Sequence, residues 1–164
     1  MKTLYLIGGT MGVGKTTVCK TLKSRLPKCV FLDGDWCWDA DPFQVTEETK
    51  SMVLDNICHM LSNFIRCFAY ENIVFCWVMH EQSIIDDILS RLDTSACKVK
   101  SISLVCEESE LRSHLEKDVA LGLRSLDVIE RSVLRIPLYA RLNTVKVDVT
   151  GKTVLDISEE IEKL

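Results

Sequence analysis

The sequence predicts an α/β protein with a three-layer architecture, in which helices cover both faces of a doubly wound sheet of five parallel strands. Short apolar runs alternate with longer segments of helical period, as in a parallel sheet with crossover helices. The run at 73–79 is apolar throughout, which is typical of a strand covered on both faces. The length of 164 residues fits one domain, so we expect residues 1–164 to form a single unit.

The five expected strands are apolar runs of strand length, and most of them end at glycine, aspartate or a turn. They span 4–8, 29–32, 73–79, 99–106 and 144–149. The segments between them keep helical spacing. We expect helices over 15–26, 46–70, 82–92, 109–121, 125–142 and 154–164, the fifth interrupted or kinked by Pro137.

The helix from Thr46 has the clearest amphipathic pattern. Thr46 is a plausible N-cap, but Thr49 lies where a capping box needs Glu or Gln, so we expect no box. One face carries apolar residues at intervals of three and four, which predicts that this face is buried. Those residues are Val53, Ile57, Met60, Leu61, Phe64, Ile65 and Phe68.

Composition excludes several classes of protein. Hydrophobic residues make up 47% and charged residues 27% of the chain, which excludes a disordered protein. Lys and Arg number 20 against 24 acids, so we expect neither nucleic-acid nor membrane binding. The eight cysteines form no Cys-x-x-Cys pair, and the start of the chain resembles no signal peptide. These features predict reduced thiols in a cytoplasmic protein.

A glycine-rich loop carries the most specific signal. Residues 9–16 read Gly-Thr-Met-Gly-Val-Gly-Lys-Thr and match the phosphate-binding pattern G-x-x-x-x-G-K-[ST], between a predicted strand and a predicted helix. Backbone N–H groups and the helix N-terminus favour phosphate, Lys15 would reach the terminal phosphates, and the Thr16 hydroxyl would ligate Mg²⁺. The expected nucleotide-binding residues are Gly9, Thr10, Met11, Gly12, Val13, Gly14, Lys15, Thr16 and Thr17.

A pair of carboxylates follows the second predicted strand. Ligands bind beyond the carboxyl ends of parallel strands, so Asp33 and Asp35 should face the glycine loop. One carboxylate would hold Mg²⁺ and the other would accept a proton from an attacking hydroxyl. The alternative is a solvent-exposed Asp-Gly turn.

The third predicted strand ends in His80-Glu81 and has no aspartate at its end. Asp33 and Asp35 are therefore the best metal and proton-transfer candidates, with Glu81 as a weaker metal candidate. His80 either contacts substrate or assists proton transfer, or else it is structural.

These features together resemble small P-loop kinases such as shikimate, gluconate and adenylyl-sulfate kinases and chloramphenicol phosphotransferase. The resemblance covers the whole chain in element order and implies a strand order of 2-3-1-4-5. It implies that Asp35 receives the substrate hydroxyl and that Asp33 lies near Mg²⁺. It also implies a lid at about 121–127 carrying Arg124 as a catalytic and nucleotide-binding residue.

The resemblance implies further ligand contacts. Arg135 lies in a run that resembles the substrate-holding Arg-x-x-x-Tyr segment, and Thr150 lies where such kinases form the adenine pocket. The acceptor should bind in the region 36–70. There Trp38 either stacks on a planar ligand or packs beneath the helix, and Asp39 and Asp41 disfavour a highly anionic acceptor.

The sequence thus predicts an ATP- and Mg²⁺-dependent phosphotransferase that acts on a hydroxyl of a small molecule, as a monomer or a homodimer. One alternative is a nucleoside or nucleotide kinase. The other is a regulatory switch that binds ATP and has no acceptor; GTP specificity is disfavoured because the tetrad Asn-Lys-x-Asp is absent. The sequence leaves the identity of the acceptor open.

Overall fold

The computed structural model describes residues 1–164 and contains one sheet of five parallel strands. The strands are β1 Lys2–Gly8, β2 Cys29–Asp33, β3 Asn72–Cys76, β4 Cys97–Val105 and β5 Val145–Asp148. Their order is β2-β3-β1-β4-β5, which confirms the predicted fold class and strand order. The helices are α1 Lys15–Arg25, α2 Glu47–Arg66, α3 Gln82–Ser90, α4 Glu108–Ala120, α5 Asp127–Ala140 and α6 Val154–Lys163.

Alternate residues of β1 enter two hydrophobic cores, one on each face of the sheet. Leu4 and Leu6 pack with residues of α2 and α3, whereas Tyr5 and Ile7 pack with residues of α1 and α6. This alternation follows from the two-residue period of a strand. Covering both faces accounts for the continuous apolar pattern of the central strands.

The strand β3 is shorter than the predicted 73–79, because the chain turns out of the sheet after Cys76. Met79 has a φ of 38° and is buried, so the chain bends there before α3 begins. Two backbone hydrogen bonds join residues 77–78 to β1 and to the residue that follows it. The Trp77 N–H donates to the Ile7 carbonyl, and the Gly9 N–H donates to the Val78 carbonyl.

Two predictions for α2 are wrong. The capping box exists: the Thr46 N–H donates to Thr49 Oγ1 at 2.8 Å, and the Thr49 N–H donates to Thr46 Oγ1 at 3.2 Å. A threonine hydroxyl reaches the N-cap as a glutamate would. The buried face is also shorter than predicted, because Phe68 lies beyond the helix end and is 98% exposed. Met60 is exposed as well.

The helix α5 runs through Pro137, so the predicted interruption there is wrong. Proline removes one N–H donor and its ring crowds the carbonyl four residues earlier. Burial of Val128 and Ile129 in a hydrophobic cluster stabilises the helix despite this cost. All eight cysteines are free in this structure. No helix combines the length and apolar content that a membrane span requires.

Candidate active site

A cleft of about 360 Å³ lies between the glycine-rich loop, the end of β2 and the helix α4. This is the carboxyl edge of the sheet, where ligands bind in open α/β folds. The residues lining the cleft are Met11, Gly12, Gly14, Lys15, Thr16, Thr17, Asp33, Asp35, Val78, His114, Lys117, Asp118 and Arg124. The loop, both aspartates and the predicted lid arginine therefore meet in one cavity.

The glycine-rich loop needs glycine at two positions of this cleft. Gly12 and Gly14 have φ values of 81° and 98°, a region that other residues rarely adopt. A Cβ on Gly12 would also lie 2.6 Å from Leu115 Cδ2 of α4. Since α1 begins at Lys15, directly after Gly14, the positive end of its dipole faces the cleft.

Other residues of the loop anchor it to the fold and do not line the cleft. Thr10 is buried and its hydroxyl donates to the Ser132 carbonyl of α5 at 2.8 Å. Val13 packs in the core on the α1 side of the sheet. The carbonyl of Gly9 accepts a hydrogen bond from Lys15. These three predicted binding residues thus fix the shape of the loop that presents the others.

The ammonium group of Lys15 lies inside the loop. Its Nζ donates to the carbonyl oxygens of Gly9 at 2.8 Å and Thr10 at 3.0 Å. Burial lowers the pKa of Lys15, while the nearby thiol of Cys76 and the carboxylates of Asp35 and Asp33 act in the opposite direction. The lysine is therefore held between main-chain carbonyls and acids, and an anion that enters the cleft offers it a further partner.

The Asp33 carboxylate joins the loop to the end of β2. Thr16 Oγ1 donates to Asp33 Oδ2 at 2.7 Å, and the Asp35 N–H donates to Asp33 Oδ1 at 3.1 Å. Asp33 is only 5% exposed, which excludes the alternative of a solvent-exposed turn for this residue, whereas Asp35 is exposed and lines the cleft. The Thr16 hydroxyl and the Asp33 carboxylate are adjacent oxygen donors of the type that Mg²⁺ prefers.

Burial raises the pKa of Asp35, and the neighbouring Asp33 carboxylate raises it further. The charge of Lys15, a hydrogen bond from the Trp77 side chain and the charge of Arg124 lower the same pKa. Glycine at position 34 allows the Trp77 side chain to lie close to the backbone beside Asp35, because a Cβ on residue 34 would lie 2.6 Å from Trp77 Cδ1. Asp35 is therefore a carboxylate of increased basicity in a cleft whose lining carries three cations and three acids.

The lid segment that follows α4 carries Arg124, whose Nε donates to Asp118 Oδ2 at 2.9 Å. Sequence reasoning found Arg124 but missed His114, Lys117 and Asp118, which line the cleft from one face of α4. Their positions i, i+3 and i+4 place them on one face of a predicted helix. The sequence does not indicate, however, which face of α4 covers the loop.

Four predicted residues from other segments of the chain also lie outside this cleft. Trp38 lines a second cavity beyond Asp35, which is described below. The Thr150 hydroxyl accepts a hydrogen bond from the Glu107 N–H at 3.0 Å and so joins the end of β5 to the start of α4. Neither His80 nor Arg135 lines the cleft.

His80 follows the bend after β3. Burial lowers the pKa of His80, and the charge of Arg135 lowers it further. Its Nδ1 is buried without a hydrogen-bond partner, and its Nε2 lies 3.4 Å from Glu81 Oε1. The arrangement keeps the imidazole neutral near neutral pH.

The fold and the cleft define a P-loop protein with the architecture of small-molecule kinases. The chain belongs to the AAA domain family, whose model matches residues 6–120. No curated protein sequence matches the chain.

Several solved structures share the fold. A tunicamycin resistance protein from Deinococcus radiodurans superposes with a TM-score of 0.75 at 18% identity, over 99% of this chain and 95% of that one. A gluconokinase from Sinorhizobium meliloti 1021 gives 0.68 at 18% identity, over 96% and 88%. A shikimate kinase from Aquifex aeolicus vf5 gives 0.59 at 15% identity, over 98% and 94%. At this level of identity the likeness shows the shared fold alone.

Proposed function

We propose that the protein is an ATP-dependent phosphotransferase that moves the γ-phosphoryl group to a hydroxyl of a small molecule. The observation that carries the proposal is the meeting of Lys15, Thr16, Asp33, Asp35 and Arg124 in one cleft. The kinase fold and the nucleotide-binding loop support the same reading. The sequence pattern at 9–16, placed between β1 and α1, assigns the triphosphate to the loop.

The residues present suit a magnesium nucleotide. Mg²⁺ usually binds through one or two carboxylates together with substrate phosphates, and Thr16 with Asp33 supplies such a partial set. When bound, the ion neutralises charge on the β- and γ-phosphate oxygens. No cluster of three His, Cys, Asp or Glu side chains forms a metal site in this chain. We therefore expect tight metal binding only together with the nucleotide.

Asp35 is proposed as the general base. The acceptor hydroxyl transfers its proton to the Asp35 carboxylate while its oxygen forms a bond to the γ-phosphorus. The bond from the γ-phosphorus to the bridging oxygen breaks, and ADP leaves with that electron pair. Burial and the adjacent Asp33 raise the pKa of Asp35, which makes it a stronger proton acceptor than an exposed aspartate.

Cations in the cleft would stabilise the charge that develops on the transferring group. Lys15 lies inside the loop, and Arg124 enters the cleft from the lid. Phosphoryl transfer depends largely on positioning and on such charge stabilisation. Arg124 is paired with Asp118 in this structure. To bind a phosphate group, the guanidinium group would have to leave Asp118.

The test is a phosphoryl-transfer screen over sugars, nucleosides and other small alcohols, with wild type compared with Asp35→Asn. We expect the variant to lose about 100- to 10,000-fold in kcat. Asp86→Asn is a matched control, because Asp86 lies on α3 outside both cavities and accepts a hydrogen bond only from Gln82. Equal turnover in wild type and Asp35→Asn for every acceptor would remove Asp35 from the mechanism.

Loss of folding would not explain the expected defect. A carboxyl whose pKa is raised on folding stabilises the fold only at low pH, and that contribution is lost as the pH rises through the folded-state pKa. At neutral pH the ionised Asp35 is thus a cost, since it is partly desolvated and lies beside the Asp33 carboxylate. We expect the Tm of Asp35→Asn to equal or exceed that of wild type. Slow ATP hydrolysis that no alcohol stimulates would favour the regulatory-switch alternative.

A further inference from the structure

A second cavity of about 250 Å³ lies one turn beyond Asp35. It is lined by Cys37, Trp38, Asp39, Ala40, Pro42, Gln44, Thr49 and Met52. The wall of this cavity is fixed relative to the proposed base, because the Trp38 N–H donates to the Asp35 carbonyl at 3.2 Å. The side-chain amide of Asn56 in α2 fixes the residue before Trp38, because it donates to the Cys37 carbonyl at 3.2 Å. The cavity therefore adjoins the segment that carries Asp35, whose side chain lines the first cleft, so an acceptor held here has to extend its hydroxyl into that cleft.

Apolar side chains form half of the lining of this cavity, and Trp38 is its one aromatic residue. The rings of Trp38 and Phe43 lie 4.6 Å apart at an angle of 36°. Phe43 and Val45, which flank the lining residue Gln44, are exposed, as is the lining residue Met52. Exposed apolar surface that adjoins a cavity is typical of ligand sites, where a bound molecule covers it. The surface suits a planar apolar group.

The charges around the cavity are acidic. Among its lining residues Asp39 is the one charged side chain, and there is no Lys, Arg or His. Over residues 36–52 the acids are Asp39, Asp41, Glu47 and Glu48, and the single cation is Lys50. The Lys50 ammonium is already paired with Glu47 at 2.9 Å. His80 and Arg135 line neither cavity.

We infer that the acceptor is an alcohol with a planar apolar body that is neutral or cationic, and that it carries no carboxylate or phosphate group in this cavity. The inference rests on the proposed function and narrows it. An anionic body would meet Asp39 without a compensating cation, whereas an ammonium group would find a counterion there. Sugar acids and nucleoside monophosphates are thereby excluded as acceptors in this cavity.

The test uses three alcohols with one aryl carbinol skeleton and different charge: phenylethanolamine, styrene glycol and mandelate. Gluconate and adenosine monophosphate serve as anionic acceptors of other shapes. We expect kcat/KM for phenylethanolamine and styrene glycol to exceed that for mandelate by about tenfold, the effect of one like-charge contact near the protein surface. Binding of each alcohol without ATP is measured in parallel by calorimetry.

Variants connect the preference to the cavity. Trp38→Ala should raise the Kd of phenylethanolamine and styrene glycol by about tenfold and leave the Kd of ATP unchanged. Trp38→Phe should restore most of the affinity, because a ring remains. Trp36→Ala is the matched control: this neighbouring tryptophan is exposed, packs on Phe31 and lines neither cavity. Asp39→Lys should shift the preference toward mandelate.

The outcomes separate this inference from the proposed function. Transfer that favours mandelate, gluconate or adenosine monophosphate would overturn the inference and leave the kinase proposal standing. Absence of transfer, together with binding of the neutral and cationic aryl alcohols that Trp38→Ala weakens, would remove the kinase proposal and support the cavity assignment. Failure of all three aryl alcohols to bind, or equal affinity for all three, would overturn the inference.

Discussion

The two sides of the cleft are built by different means. On the α1 side, the wall comes from one contiguous run of eight residues, 9–16, which includes one lysine, and the shape depends on φ values at glycines. On the β2 side, carboxylates, an indole and the wall of a second cavity come from separate segments. A site made of backbone recognises what all its ligands share, whereas a site made of side chains discriminates among them.

Lys15→Ala removes the lysine of the α1 side of the cleft and should have the largest effect. We expect kcat to fall by about two to three orders of magnitude, because the transferring phosphate loses its nearest cation. Lys20→Ala is the control, since Lys20 lies on the same helix and is exposed. Burial lowers the pKa of Lys15, so the substitution should not lower the Tm. A variant with wild-type kcat would refute the assigned role.

Arg124→Ala tests the segment proposed as a lid. We expect kcat to fall by about 10- to 100-fold, with a smaller rise in KM for ATP, because the contact forms fully only in the transition state. Steady-state kinetics separate the two parameters. Arg131→Ala is a matched control on the exposed surface of α5, where Arg131 pairs with Asp127. An equal loss in ground-state ATP binding would contradict a transition-state role.

Gly34→Ala tests the junction of the two sides. A Cβ at Gly34 would displace the Trp77 ring, which lies 2.6 Å away, at a cost of about 1–3 kcal/mol in the free energy of unfolding. Denaturant unfolding measures this cost. Adding Trp77→Ala removes the clash, so the double variant should be more stable than the sum of the two single effects predicts. Additive effects would show that the close approach is not the cause.

Trp77→Phe should give the smallest effect and act on the β2 side of the cleft alone. The Trp77 hydrogen bond lowers the pKa of Asp35, so its loss should raise that pKa. Because the proposed base works when ionised, the acidic limb of the kcat profile should move to higher pH, with little change at alkaline pH. The pH–rate profile measures the shift. An unchanged limb would separate Trp77 from the base.

Much of the fold follows from sequence pattern, since the apolar runs and the helical periods specify the strands and helices. The errors have both local and tertiary causes. Thr49 completes a capping box that its residue type did not indicate, and Phe68 continues a buried pattern past the point where the helix ends. Pro137 lies inside a helix that packing sustains.

The sequence by itself determined the phosphate-binding loop, because its function depends on contiguous residues and on backbone conformations that glycine permits. It also indicated Asp33 and Asp35, which follow directly from the end of one strand. Tertiary structure alone decided which face of α4 lines the cleft, that Arg124 pairs with Asp118, and that Trp77 contacts Asp35. Those contacts join segments far apart in the chain, and their geometry is set by packing rather than by local residue order.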